Sequence, residues 1–190
     1  MFKLHTNTLA TIKIIVIGLL LANMTIVNAQ GSTFDILHTP TEAKGPGIKI
    51  TFNGSKYEPA KEIKINAIKT INKINSELDF AEQILSIQRQ GSSLQYSELW
   101  EKKIRSKVES TYKAKQEEWS YLQAQMLAIQ TAKIKGVINY GAVKIIWMEL
   151  IFKDNIVQRI YPIKMENDKF VLTNDLSEDL VFGQLLIFLK

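Results

Sequence analysis

Residues Ala128–Thr173 read AIQTAKIKGVINYG (128–141), AVKIIWMELIF (142–152), KDN (153–155), IVQRIYPIKM (156–165), ENDK (166–169) and FVLT (170–173). β-Branched and aromatic residues fill the long runs, and glycine, asparagine or aspartate stands at the breaks. That is the composition of a pleated, half-buried surface interrupted by turns. The segment therefore predicts an antiparallel meander over 130–173, because a link such as Lys153–Asn155 is too short for anything but a hairpin.

Face assignments follow from the period of two. In the first strand Ala132, Ile134, Ile138 and Tyr140 share a face, and Lys133, Lys135 and Asn139 take the other. In the second, Ile146, Met148, Leu150 and Phe152 line one face, and Val143, Ile145, Trp147 and Ile151 line the other. A strand apolar on both faces is covered on both. Helices supply one cover; a second subunit, the N-terminal lead-in or a ligand supplies the other. A three-residue loop with Asn155 left-handed sets Phe152 opposite Ile156, Trp147 opposite Tyr161, and Glu149 opposite Arg159.

Upstream the period changes to that of a helix. Ile68, Ile71, Ile74, Leu78, Ala81, Ile84 and Leu85 recur at three and four, predicting a helix over 66–88. Ser76 with Asp79 can cap a second start within it. After Gly91-Ser92-Ser93, read as a loop, Trp100, Ile104, Val108, Tyr112, Trp119, Leu122, Met126 and Ile129 form a stripe for a long helix over 97–127. Its break is expected near Ser110-Thr111. Glu98–Lys102, Glu101–Arg105 and Glu109–Lys113 are correctly oriented pairs for its wet side, each worth a few tenths of a kcal/mol. Ser177, Glu178 and Asp179 are expected to open a C-terminal helix over 177–188, with Asp175 and Asp179 read as helix-start residues.

The ends bound location. Lys3 and Lys13 precede an apolar run from Ile14 to Ala22, and Val27-Asn28-Ala29 supplies small residues before Gln30. Residues 1–29 thus read as a signal peptide cleaved near Ala29-Gln30, too short before Asn23 for a spanning helix. No cysteine exists to take a lipid or form a disulfide. The expected location is secreted or periplasmic, with no membrane insertion after cleavage. Residues 30–65 read as an extended lead-in with short strands: Phe34–Leu37 at an edge, and Ile48–Phe52 turning at Asn53-Gly54 into a hairpin with Tyr57–Ile65. Residues 66–190 form the α+β domain. Without Lys3 and Lys13 the balance is 22 basic to 19 acidic residues. The lysines are dispersed among glutamates rather than gathered as a nucleic-acid surface, so no nucleic-acid partner is expected.

Chemistry-bearing residues are sparse. His5 lies in the signal segment and His38 in the lead-in, no cluster has zinc-ligand spacing, and no glycine-rich phosphate loop is present, so neither metal nor cofactor is expected. Glu149, between Trp147 and Ile151, is the one carboxylate on an apolar face, a setting that favours its neutral form and suits an acid-base group. The structural reading, favoured over it, is an ion pair with Arg159 across the hairpin or a rim charge at a sheet end. Trp100, Trp119 and Trp147 read as core before they read as a stacking platform.

Helices followed by a long meander resemble the nuclear transport factor 2-like, or SnoaL-like, α+β cone. The residues carrying the likeness are NYGAVKIIWMEL (139–150), ENDKFVLTNDL (166–176) and the helical stripe over 66–87, within Asn66–Leu180. Phe170 stands where that group usually has tryptophan, and Asp168-Lys169 lacks its glycine. The resemblance implies helices packed on one face of a curved, cone-like sheet, a pocket between them, and a homodimer through the outer sheet face. The first functional reading is an exported, non-enzymatic binding or assembly domain. One alternative is an isomerase, dehydratase or cyclase using Glu149 as the acid-base group, Tyr140 or Tyr161 as hydrogen-bond donor, and Trp147 and Arg159 in binding. Another is an envelope-complex component joined through the long helix.

Overall fold

Six strands pair antiparallel in sequence order among the residues that the computed structural model describes, which are 33–38, 48–65, 68, 74–179, 182 and 183. They are β1 (Thr33–His38), β2 (Ile48–Ile63), β3 (Thr131–Tyr140), β4 (Val143–Ile151), β5 (Ile156–Glu166) and β6 (Lys169–Leu172). Four helices stand between β2 and β3: α1 (Glu77–Gln90), α2 (Ser93–Glu98), α3 (Lys102–Ala114) and α4 (Gln116–Leu127). The fold is α+β, with an open antiparallel sheet. The expected signal segment lies outside the described residues. No described helix is long and apolar enough to cross a membrane.

The expected meander is present, and its turns follow local chemistry. Gly141, at φ 61°, opens the two-residue link from Tyr140 to Val143. Asn167 and Asp168, at φ 50° and 59°, form the left-handed pair that a tight hairpin demands. Registers differ from expectation in two places. The β4–β5 ladder ends at Ile151↔Ile156, so the loop is Phe152–Asn155, closed by the Phe152 N–H donating to the Asn155 carbonyl at 2.9 Å. This one-residue slip places Trp147 opposite Ile160 and Glu149 opposite Gln158, not Tyr161 and Arg159. Because side chains alternate, the slip also puts Tyr161 on the face away from Trp147. The second difference is a bulge at Lys135, between the pairs Ile134↔Met148 and Gly136↔Trp147. Ala132 and Ile134 pack under the helices, while Ile138 and Tyr140 join the opposite face rather than sharing theirs.

β2 corrects the lead-in reading. Asn53-Gly54 makes no turn; the strand continues through it, pairing with β1 on one side and β3 on the other. Pro59 falls in the irregularity between Lys56 and Lys61, where a residue without an N–H costs the ladder nothing.

Two apolar layers result. Ile84, Leu85, Ile134, Ile146, Met148, Leu150, Ile163 and Leu172 are almost fully buried on the helix side. At about 1.5–3 kcal/mol for each side chain, this burial outweighs every surface pair of the helices. On the other face Phe52, Ile138, Val143, Ile145 and Trp147 are covered by Leu176 and Phe182, with Phe34 and Ile160 at the margin. The chain's own C-terminal segment thus packs on the face whose cover the sequence left open.

The helical layer is more segmented than its stripe implies. Ser76 caps α1 as expected, accepting from the Asp79 N–H at 3.1 Å. The predicted beginning of that helix, before Ile74, lies mostly outside the described residues, and Ile74 and Asn75 are not helical. Ser92 is no loop residue but the cap of α2, in a reciprocal box with Gln95. The helix expected over 97–127 is three pieces, broken at Leu99–Glu101 and at Lys115, not at Ser110-Thr111. Residues 175–178 are turns in place of the expected start at Ser177, and Asp179 accepts from the Phe182 N–H at 3.0 Å. Most of the predicted C-terminal helix lies outside the described residues.

Gly54 and Gly136 let β2 and β3 approach: a Cβ would lie 2.1 Å from the Val137 carbonyl oxygen at Gly54, and 2.6 Å from that of Ser55 at Gly136. Gly54→Ala and Gly136→Ala are each expected to cost about 2–3 kcal/mol in urea denaturation. Gly141→Asn, in open space at a left-handed position, should change stability by under about 0.5 kcal/mol.

Candidate functional site

The break at Leu99–Glu101 is the origin of the site. The Leu172 N–H donates to the Leu99 carbonyl at 2.7 Å, and the Glu101 N–H donates to the Leu172 carbonyl at 3.0 Å. Trp100 and Leu172 thus form a parallel bridge, and the helix stops because its backbone is used to cover β6. α3 restarts without a side-chain cap of its own. Glu166, at the end of β5, supplies one instead, accepting from the Lys102 N–H at 3.2 Å. The Arg105 guanidinium turns back to the Trp100 carbonyl at 3.0 and 3.3 Å. The expected Glu101–Arg105 pair therefore does not form.

Glu101 goes elsewhere. Its side chain is 1% exposed and ion-paired with Lys164, accepts from the Thr173 hydroxyl at 2.8 Å and the Asn174 N–H at 3.3 Å, and has Lys103 at 3.5 Å. Lys164 also donates to Asp175 at 2.7 Å, and Asp175 pairs with Lys103. Burial alone would raise the Glu101 carboxyl, but the bonds from Lys164, Thr173 and Asn174 prevail and hold it below its usual range. Bonds from Lys103 and then Lys164 hold Asp175 well below the ordinary carboxylate range. Both lysines are raised, Lys103 chiefly by Asp175, and Lys164 by Asp175 and then Glu101.

At the α2–α3 junction and the β5–β6 hairpin lies a cavity of about 420 Å³. Its apolar walls are Ile74, Phe80, Leu99, Phe170 and Val171; Glu98, Arg105, Glu166, Asn167 and Lys169 carry the polar groups. Phe80 and Phe170 face each other with ring centroids 5.9 Å apart. Three segments distant in sequence meet here: the approach to α1, the α2–α3 junction, and the β5–β6 hairpin. A second hollow of about 250 Å³ lies between the end of β2 and the start of β3, beside Arg89.

The residues singled out from sequence lie elsewhere and apart. Glu149 sits on the outer face, with Lys135 at 3.4 Å and the Gln158 amide donating to it at 3.1 Å. Trp147 donates its indole N–H to Gln158 at 2.9 Å, and the Lys135 ammonium stands over its ring at 5.3 Å. The ion-pair alternative thus has Lys135 as partner, not Arg159, which is exposed and faces Met148. Tyr140 donates to Asp179 at 3.0 Å; burial and that carboxylate raise its hydroxyl. Tyr161 lies on the helix side, donating to Gln88 at 3.1 Å, its hydroxyl raised by burial. Glu149, Tyr140 and Tyr161 do not converge, and none lines either cavity. Trp100 and Trp119 belong to the core, around Tyr96 and Tyr112. Among the described residues no three His, Cys, Asp or Glu side chains gather as a metal site.

Comparison of the chain with protein-family models, curated proteins and solved structures finds no match.

Lys164→Met leaves the buried Glu101 carboxylate without its chief partner and is expected to cost about 2–4 kcal/mol in urea denaturation, less than for a wholly dry pair because the ammonium is partly exposed. The two acids are depressed, so their contribution is complete above the unfolded carboxylate range near pH 4 and is lost as pH falls through the folded values. The two lysines are raised, so theirs is complete below about pH 10 and is lost as pH rises through the folded values. Glu101→Gln should shallow the acid limb of a stability–pH curve relative to the parent.

Proposed function

We propose that this chain is an exported, non-catalytic binding domain whose ligand enters the cavity between the α2–α3 junction and the β5–β6 hairpin. The observation that carries the reading is the cavity itself. Its volume of about 420 Å³ falls in the range of small-molecule sites, and apolar and polar residues line it in equal number. Three of its lining residues are tied to backbone groups, Leu99 by the Leu172 N–H, Glu166 by the Lys102 N–H and Arg105 by the Trp100 carbonyl, the kind of support that holds a pocket open without a ligand. Export rests on the pattern of residues 1–29. The order of α1 to β6 supports the likeness to the nuclear transport factor 2-like group, which leaves β1 and β2, on the same sheet, outside its compass.

N-Phenyl-1-naphthylamine, an uncharged dye that fluoresces in apolar surroundings, tests the reading. One saturable site per chain is expected. Ile74→Trp, which fills the cavity from its apolar wall, should weaken dye binding by about tenfold or more while leaving the melting temperature near that of the parent. Dye binding unchanged in that variant, or none in the parent, overturns the proposal.

A further inference from the structure

We propose that the cavity takes a small zwitterion with an apolar body, of the α-amino-acid type; this rests on the binding reading above. The lining supplies the apolar half, with the Phe80 and Phe170 rings tilted against each other and Ile74, Leu99 and Val171 beside them. The rim supplies the polar half, and the groups there are not equally engaged. Glu166 is occupied by the Lys102 N–H, and Arg105 by the Trp100 carbonyl. Glu98 and Lys169 are exposed and stand outside every ion pair of the described residues. The carboxylate and the ammonium without a bond of their own are thus those of Glu98 and Lys169, while Glu166 and Arg105, bonded only to neutral backbone groups, keep their charges at the rim.

That combination discriminates by charge. A ligand with a lone anionic head meets Lys169 but also the repulsion of Glu98 and Glu166; one with a lone cationic head meets Glu98 but also Lys169 and Arg105. A ligand carrying an ammonium and a carboxylate on one carbon answers both, its carboxylate toward Lys169 and its ammonium toward Glu98.

Displacement of the bound naphthylamine dye from the whole chain tests this with three probes of one shape: phenylalanine, 3-phenylpropionate and 2-phenylethylamine. Phenylalanine is expected to displace the dye at about tenfold lower concentration than either singly charged probe. Lys169→Met should abolish its advantage over phenylethylamine, and Glu98→Gln its advantage over phenylpropionate. Circular dichroism melts of both surface variants should match the parent. If the dye binds but the three probes displace it equally, or the two variants leave the ranking intact, the zwitterion inference falls and the binding site stands. If the dye finds no site, both fall together.

Discussion

Two backbone hydrogen bonds between Leu172 and the segment Leu99–Glu101 govern more of this molecule than any side-chain contact. They interrupt a run whose apolar stripe favours one continuous helix, and they give the last strand a partner along part of its open edge. They also bring the Glu101 carboxylate against Lys164 and Thr173, where isolation from water would be costly without those donors. The cavity is lined from the same places: Leu99 of the α2–α3 junction fixed on β6, and Phe170 of the β5–β6 hairpin against Phe80.

How much of this could be read from the letters depended on the range of the interaction. The strands β3 to β6 were legible because each link is a few residues long and each run has one composition. The cap at Ser76 was legible because donor and acceptor are three residues apart. The bulge at Lys135 was not, since Ala132, Ile134, Ile138 and Tyr140 keep an even spacing in the sequence. Only Gly136 between them, and the adjacent Val137 and Ile138, hinted that the strand changes faces. Likewise Phe152 suits a strand position by type, yet it packs at the edge of the core, and the ladder ends one pair earlier.

The site was the least legible part because its members are remote. Glu101 reads locally as an acid in the first turn of a helix, and nothing near it announces Lys164 or Thr173. Lys169 reads as a turn residue, and Arg105 as the partner of Glu101. Glu149 drew notice for sound reasons, a carboxylate among apolar neighbours, but its partners come from the two flanking strands at positions that only the true register supplies. A shift of one residue was enough to separate Glu149 from Arg159 and to send Tyr161 to the opposite side of the sheet.

Helices α1 to α4 lie between β2 and β3, which are hydrogen-bonded neighbours, so this helical layer of the described residues is the loop of one enormous hairpin. Closing so long a span is thermodynamically mild, since the entropic cost grows only with the logarithm of its length. Kinetically it is another matter, because pairings across great separation form after local ones. The meander from β3 to β6 is local throughout, whereas the β1–β2 ribbon leaves the ribosome first and has no sheet to join until β3 is made. Assembly therefore runs against synthesis: the earliest strands wait, edges bare, for the latest ones to offer them a place.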